Sequence, residues 1–290
     1  MYPKGIGLYL RALNEQTSGR PKQAAAKAQA HAVSFVTLMT AWQDVDANGK
    51  DRMLHSNGRD ATIIRAYADA FSDAGIDVWL WGFPRAGGED EYIARFAHVT
   101  DVCGDTIKGW IHDPEVFFKW GSKASTAPQA GMRGQPEYSA DAEPLNKTQA
   151  WIKTRAGILL EKGRAAGFGD ERIGITSYGM APGHKNFPWD VFGGHGFGSP
   201  QLYSVGAQDV DRGIAAWRAH GWQHIVPSVP LYGKNSGAAL HEHLSHFVDG
   251  AEHIAGFIFW SWQQGSPAEW GILKRWADWL VRGACVLPEV

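Results

Sequence analysis

The chain predicts an α/β fold, a (β/α)8 TIM barrel built as a single domain over residues 1–290. Three observations point there. Eight short apolar, β-branched segments alternate along the whole length with helical segments, or in one case with an irregular loop. No change of composition marks a domain boundary. A doubly wound sheet, the competing arrangement, would want a Gly-rich phosphate loop after an early strand. Gly194-His195-Gly196-Phe197-Gly198 is Gly-rich, but it precedes a strand instead of opening a helix.

The elements follow in order. Gly5–Leu10 is the first strand and Pro21–Ala30 an Ala-rich helix, with Pro21 at a permitted first-turn position. Val33–Met39 is the second strand. Asp60–Asp73 is a helix whose Ile63, Ile64, Tyr67 and Phe71 share a stripe, and Gly75 ends it. Ile76–Trp81 is the third strand, Glu89–Val99 a helix, and Ile107–His112 the fourth strand. Residues 116–145 form a long insertion, read as a lid or rim beside the fourth strand. Asn146 and Gln149 resemble a capping box opening a helix that runs to Ala166. Arg172–Ser177 is the fifth strand, and 179–198 a second irregular loop. Ser199–Tyr203 is the sixth strand, Asp209–His220 a helix, Ile225–Val229 the seventh strand, Ala238–Asp249 a helix and Ala255–Trp260 the eighth strand. Ser266, Pro267 and Glu269 then combine an N-cap, Pro at N1 and an acid at N3. They open the last helix, where Leu273, Trp276 and Leu280 share a face.

Charge and composition exclude several classes. The 28 basic and 30 acidic residues nearly cancel and form no basic stripe, so no nucleic-acid partner is expected. No apolar run reaches membrane-spanning length, so no membrane insertion is expected. Met1-Tyr2-Pro3-Lys4-Gly5 reads directly into a strand, so no signal peptide is expected. Cys103 and Cys285 suggest no disulfide framework. His241, Glu242, His243 and His246 lack the His-Glu-x-x-His spacing of a zincin. A solvated helix face is the plainer reading of them, and no metal or cofactor is expected. His184 and His195 in the 179–198 loop could touch a substrate, or a metal together with Asp190. The unusual feature is 14 Trp, which can fill a core or stack on sugar rings.

In a barrel of this kind the chemistry sits at the C-terminal ends of the strands. The fourth strand ends in Asp113-Pro114-Glu115. Side chains two apart on an extended segment point the same way, so the two acids share a face. Pro114 lacks an N–H and stops the ladder there. The other strand ends supply Arg11, Trp42, Asp44, Trp81, Arg85, Tyr178, Gln201, Tyr203, Tyr232, Trp260, Trp262 and Gln263. Aromatic faces stack on pyranose rings, and amides and phenols bond sugar hydroxyls. A polysaccharide is therefore the expected partner, with Trp42, Trp81, Gln201, Tyr203, Tyr232, Trp260 and Trp262 lining its cleft. Any one of these aromatics can instead fill the barrel interior.

The Asp113-Pro114-Glu115 strand resembles the catalytic strand of two barrel glycosidase groups, the family 25 muramidases of bacteria and phages and the family 18 chitinases. Gly256-Phe257-Ile258-Phe259-Trp260-Ser261-Trp262 is similar to the Trp-bearing last strand of family 18, where the Trp floors a sugar subsite. The chain departs from both patterns. Trp110, Ile111 and His112 stand where family 18 carries further acids, and Arg11 ends the first strand where family 25 carries Asp. The resemblance implies a divergent glycoside hydrolase acting on N-acetylated glycan, peptidoglycan or chitin-like. It also implies a phage lysis or tail setting, with other phage proteins as partners and a cytoplasmic or virion-associated location.

The implied chemistry uses Glu115 as a protonated acid, its pKa raised by apolar neighbours, and Asp113 as the ionised partner. No third acid stands out as a nucleophile. The substrate's own acetamide would then attack, oriented by Asp113 with Tyr178 or Tyr203. The alternative reading is a carbohydrate-binding or structural barrel without turnover, which the Arg at the end of the first strand favours.

Overall fold

A computed structural model describes residues 2–11, 13, 17, 19–45, 51–54, 61–120, 148–203, 207–231, 254, 256–262, 265 and 267–282. Its strands are β1 (Gly5–Leu10), β2 (Phe35–Val45), β3 (Asp51–Leu54), β4 (Asp77–Phe83), β5 (Ile107–His112), β6 (Ile173–Tyr178), β7 (Phe197–Gln201), β8 (His224–Ile225), β9 (Ser228–Pro230) and β10 (Gly256–Trp260). Its helices are α1 (Pro21–Ala30), α2 (Ala61–Asp73), α3 (Glu89–Cys103), α4 (Gln149–Ala165), α5 (Trp189–Phe192), α6 (Ala207–Ala219) and α7 (Pro267–Arg282).

The strands close on themselves. Around the ring, β1 pairs with β2, then come β4, β5, β6, β7, the β8–β9 pair and β10, which returns to β1. All of these pairings are parallel, so the chain is a closed eight-stranded (β/α)8 barrel. β8 and β9 are two pieces of one barrel strand. Pro227 lies between them and has no N–H to give to the ladder, though its carbonyl still accepts from Ile258 N at 2.9 Å. β2 is longer than expected. It runs on past the barrel and forms an antiparallel hairpin with β3, pairing Trp42 with Leu54 and Asp44 with Arg52.

The barrel interior is filled by pairing an aromatic ring with a glycine on the next strand. Gly7 is registered with Phe35, Gly109 with Trp79, and Gly174 with Phe197. A Cβ on Gly7, Gly109 or Gly174 would lie 2.1, 2.3 or 2.2 Å from the opposing ring. Each ring thus occupies the volume its partner leaves vacant. Trp79 and Phe197 meet edge-on at 5.5 Å although their strands are not neighbours, which places both rings inside. One layer higher the interior turns polar. Tyr9 Oη and Ser228 Oγ are 3.1 Å apart, Ser228 and Ser199 Oγ 2.8 Å, and Thr176 donates to the Ser199 carbonyl.

Outside the barrel the helices bury apolar stripes. α2 uses Ile64, Tyr67, Ala68 and Phe71. α3 and α4 are clasped by an ion pair in which the buried Glu89 accepts from Arg155 and from Gly87 N. α4 is capped by Thr148, whose Oγ1 accepts from Trp151 N at 3.2 Å, so the cap expected at Asn146 sits two residues later. The expected helix over 238–249 and most of the insertion after Trp120 lie outside the described residues.

Candidate active site

The parallel ring gathers the C-terminal ends of its strands at one mouth, and Asp113 and Glu115 stand there at the end of β5. Local hydrogen bonds fix them. Asp113 N donates to Gly82 O at 2.9 Å, extending the β4–β5 ladder by one residue. Pro114 then ends it, and its carbonyl accepts from Ser177 Oγ of β6 at 3.2 Å. The Glu115 carbonyl accepts from Phe118 N, turning residues 116–118 back as one 3₁₀ turn. The chain after Glu115 is secured to the loop after β6. Trp120 N donates to Asn186 O, and Asn186 Nδ2 donates to Trp120 O.

Asp113 is buried at 6% exposure and Glu115 is half-buried. Gln201 of β7 donates its amide to Asp113 Oδ1 at 2.9 Å. Burial pushes both carboxyls up. It drives Asp113 well above the usual carboxylate range, reinforced by the charge of Glu115 and opposed by the Trp81 indole and Gln201. It drives Glu115 to about 7, opposed by Gln201 and by the positive charge of Lys119. The sequence reads Asp113 as the ionised member, and its burial opposes that charge in the free protein.

The aromatic residues divide into two groups. Trp260, at the end of β10, is half-buried and borders the mouth, 5.2 Å from both Tyr9 and Trp81 and 6.3 Å from Tyr203. Tyr203 and Tyr178 are half-buried as well. Trp81 is only 1% exposed and Trp42 7%. Trp42 stacks on Phe83 at 4.9 Å, with the Arg11 guanidinium 5.0 Å from its ring. These two rings therefore hold up the wall behind Trp260 and offer no open face for a sugar. Trp262 is further removed. It packs against Phe71 of α2 and Trp270 of α7, with Lys27 of α1 over its ring, so it belongs to the helical layer and not to the cleft. Tyr232 and Gln263 lie outside the described residues.

This division predicts opposite phenotypes. Trp262→Ala should cost about 3–5 kcal/mol of stability, as for a large buried aromatic, with glycan affinity kept. Trp260→Ala should weaken glycan binding with the smaller loss of melting temperature. Paired thermal melts and glycan titrations check both. A Trp260 variant with unchanged affinity would return that ring to the core.

His184, His195 and His112 lie in three separate places. His184 stacks on Tyr178 with centroids 3.7 Å apart, beside the acids. His195 instead contacts Arg164 and Asp170, and Asp190 pairs with Lys153. The grouping of His184, His195 and Asp190 around a metal is therefore not formed. Among the described residues no three His, Cys, Asp or Glu side chains gather to hold a metal. His112 faces the helices, with Nδ1 2.9 Å from Tyr92 Oη, and burial lowers its pKa to about 3, so it is neutral packing. What the sequence reading missed is Lys119. Its ammonium lies 4.0 Å from the Tyr178 ring centroid and 2.8 Å from His184 Nδ1.

No family model matches the chain, and no curated protein matches its sequence. Solved structures do share its fold. An endo-1,4-beta-mannanase from Rhizomucor miehei is 12% identical over 96% of this chain and 95% of that one, with a TM-score of 0.60. A GH18 chitinase from Pseudoalteromonas aurantia is 10% identical over 97% and 100%, at 0.53. The spore cortex-lytic enzyme SleL from Bacillus megaterium is 8% identical over 93% and 73%, at 0.56. At these identities the likeness is one of fold.

Proposed function

We propose that the chain is a glycoside hydrolase acting on an N-acetylated glycan of the peptidoglycan or chitin type. The observation that carries this reading is the desolvated Asp113–Glu115 pair at the barrel mouth, bridged to β7 through Gln201 and bordered by Trp260. Glycosidic cleavage needs a carboxyl that stays protonated near neutral pH, and Glu115 at about 7 meets that need. The three solved structures of the same fold bear the names of a mannanase, a chitinase and a cortex-lytic enzyme.

In this reading Glu115 protonates the leaving oxygen. The acetamide oxygen of the sugar beside it attacks the anomeric carbon, so configuration is retained after water opens the intermediate. Asp113 accepts the acetamide N–H, and Tyr178 and Tyr203 stand within the same mouth. A ring seated against Trp260 positions the bond.

Incubation with purified peptidoglycan, chitin oligomers and cellulose oligomers tests the proposal. Reducing-end products from an N-acetylated polymer, with β configuration retained by NMR, are expected. Cellulose oligomers lack the acetamide and should stay intact. Their ready hydrolysis would sink acetamide participation, and binding of a glycan without products would favour the carbohydrate-binding barrel.

A further inference from the structure

Lys119 is a cation placed beside the acids by two locked loops. The 3₁₀ turn after Glu115 and the double hydrogen bond between Trp120 and Asn186 fix its backbone. Tyr178 and His184, stacked nearly parallel at 9°, form a platform under its side chain. The ammonium uses this platform twice, 4.0 Å from the Tyr178 ring centroid and 2.8 Å from His184 Nδ1. Neither contact cancels its charge. One is a π face. The other is a ring nitrogen that burial and Lys119 itself keep neutral, with the His184 pKa lowered to about 4.

Glu115 faces that charge and offsets it only in part, because burial holds its carboxyl up to about 7, and burial holds Asp113 well above the usual carboxylate range. A partly desolvated ammonium has three donors and no acceptor, and a carboxylate is the group that satisfies it best. A mouth of this balance favours an anionic ligand over a neutral one.

We propose that Lys119, set on the Tyr178–His184 stack, docks a carboxylate carried by the glycan next to the bond that Glu115 protonates, so that the cleft prefers acidic N-acetylated glycans to neutral ones. This rests on the glycosidase reading of the Asp113–Glu115 pair. Lys119 is thereby a specificity residue, and proton transfer stays with Glu115.

The test uses one glycan in two forms. Peptide-free peptidoglycan strands bearing free lactyl carboxylates are compared with the same strands after the carboxylates are reduced to alcohols. The readout is the ratio of kcat/KM on the two. Wild type should favour the carboxylate form by about tenfold, the lower range for losing a charged hydrogen bond. The advantage should fade with rising salt. Lys119→Met should bring the ratio close to one, and Lys119→Arg should keep it above one. The ratio is insensitive to effects of Lys119 on Glu115 or on folding, which move both substrates together. A wild-type ratio of one, or a Lys119→Met ratio equal to the wild-type ratio, overturns the proposal. If neither form is cleaved, the glycosidase reading fails by itself, and calorimetric affinities for the two strands decide this one. Carboxylate-dependent binding lost in Lys119→Met supports it, and binding without carboxylate dependence, or none, overturns it.

Discussion

Glu115→Gln should lower turnover on the cleaved glycan by about 10²–10⁴-fold, the contribution of a positioned general acid. The substitution keeps the size and shape of the side chain and removes only the transferable proton. Substrate affinity should change little, because a sugar ring seated against Trp260 still finds the same walls. Stability should change in a direction set by the pKa. Glu115 moves from about 4.5 in the unfolded chain up to about 7 in the fold. The folded state thus prefers the protonated form. The resulting stabilisation is complete below pH 4.5 and is lost as pH rises through 7. Glutamine stays neutral throughout. The variant should therefore melt above wild type at pH 8, and the difference should shrink on acidification. Single-turnover assays and melts across pH check both halves. Wild-type turnover in Glu115→Gln would remove the pair from the chemistry.

The barrel was legible because its signal is periodic. β1, α1 and β5 fall at the residues their composition indicates, and the eight-fold alternation survives errors at single boundaries. The boundaries that slipped have local causes. β2 continues past Met39 because its end is held by a hairpin partner, and pairing across a turn is not visible in one strand's composition. The seventh barrel strand reads as continuous in sequence and is split at Pro227.

The site was legible only along the chain. Asp113 and Glu115 announce themselves by standing two apart around a Pro. Which aromatics face the cleft depends on register and on which element packs behind them, and sequence shows neither. Trp260 and Trp262 are two residues apart, yet one borders the mouth and the other lies among Phe71, Lys27 and Trp270. The Gly–aromatic pairs of the interior are likewise a property of register, since Gly109 and Trp79 are neighbours only once β4 and β5 are aligned. Lys119 was missed because its partners Tyr178 and His184 come from the end of β6 and the loop after it, about sixty residues away.

Asp113→Asn is the second large effect, and its pH dependence is more informative than its size. Turnover should fall by about 10²–10³-fold, the cost of losing one preorganised group that stabilises developing charge. The amide oxygen of the introduced Asn can still accept from Gln201, so the fold around Pro114 should hold. The proton inventory changes more. In wild type two buried carboxyls share protons, and they titrate as a pair. The last proton leaves only when two negative charges are left side by side at the mouth, and burial resists this at Asp113 most strongly. A substrate whose acetamide N–H bonds to Asp113 favours its charged form and sends that proton to Glu115, where it is needed. The alkaline limb of the wild-type kcat/KM profile should therefore lie above pH 7. In Asp113→Asn no second charge opposes ionisation, and the limb should move down toward the value of Glu115 alone, about 7. A limb that stays in place would mean that Asp113 never carries charge in the reacting enzyme. Its part would then be confined to holding Gln201, and the acetamide would have to be oriented from the Tyr178 side of the mouth.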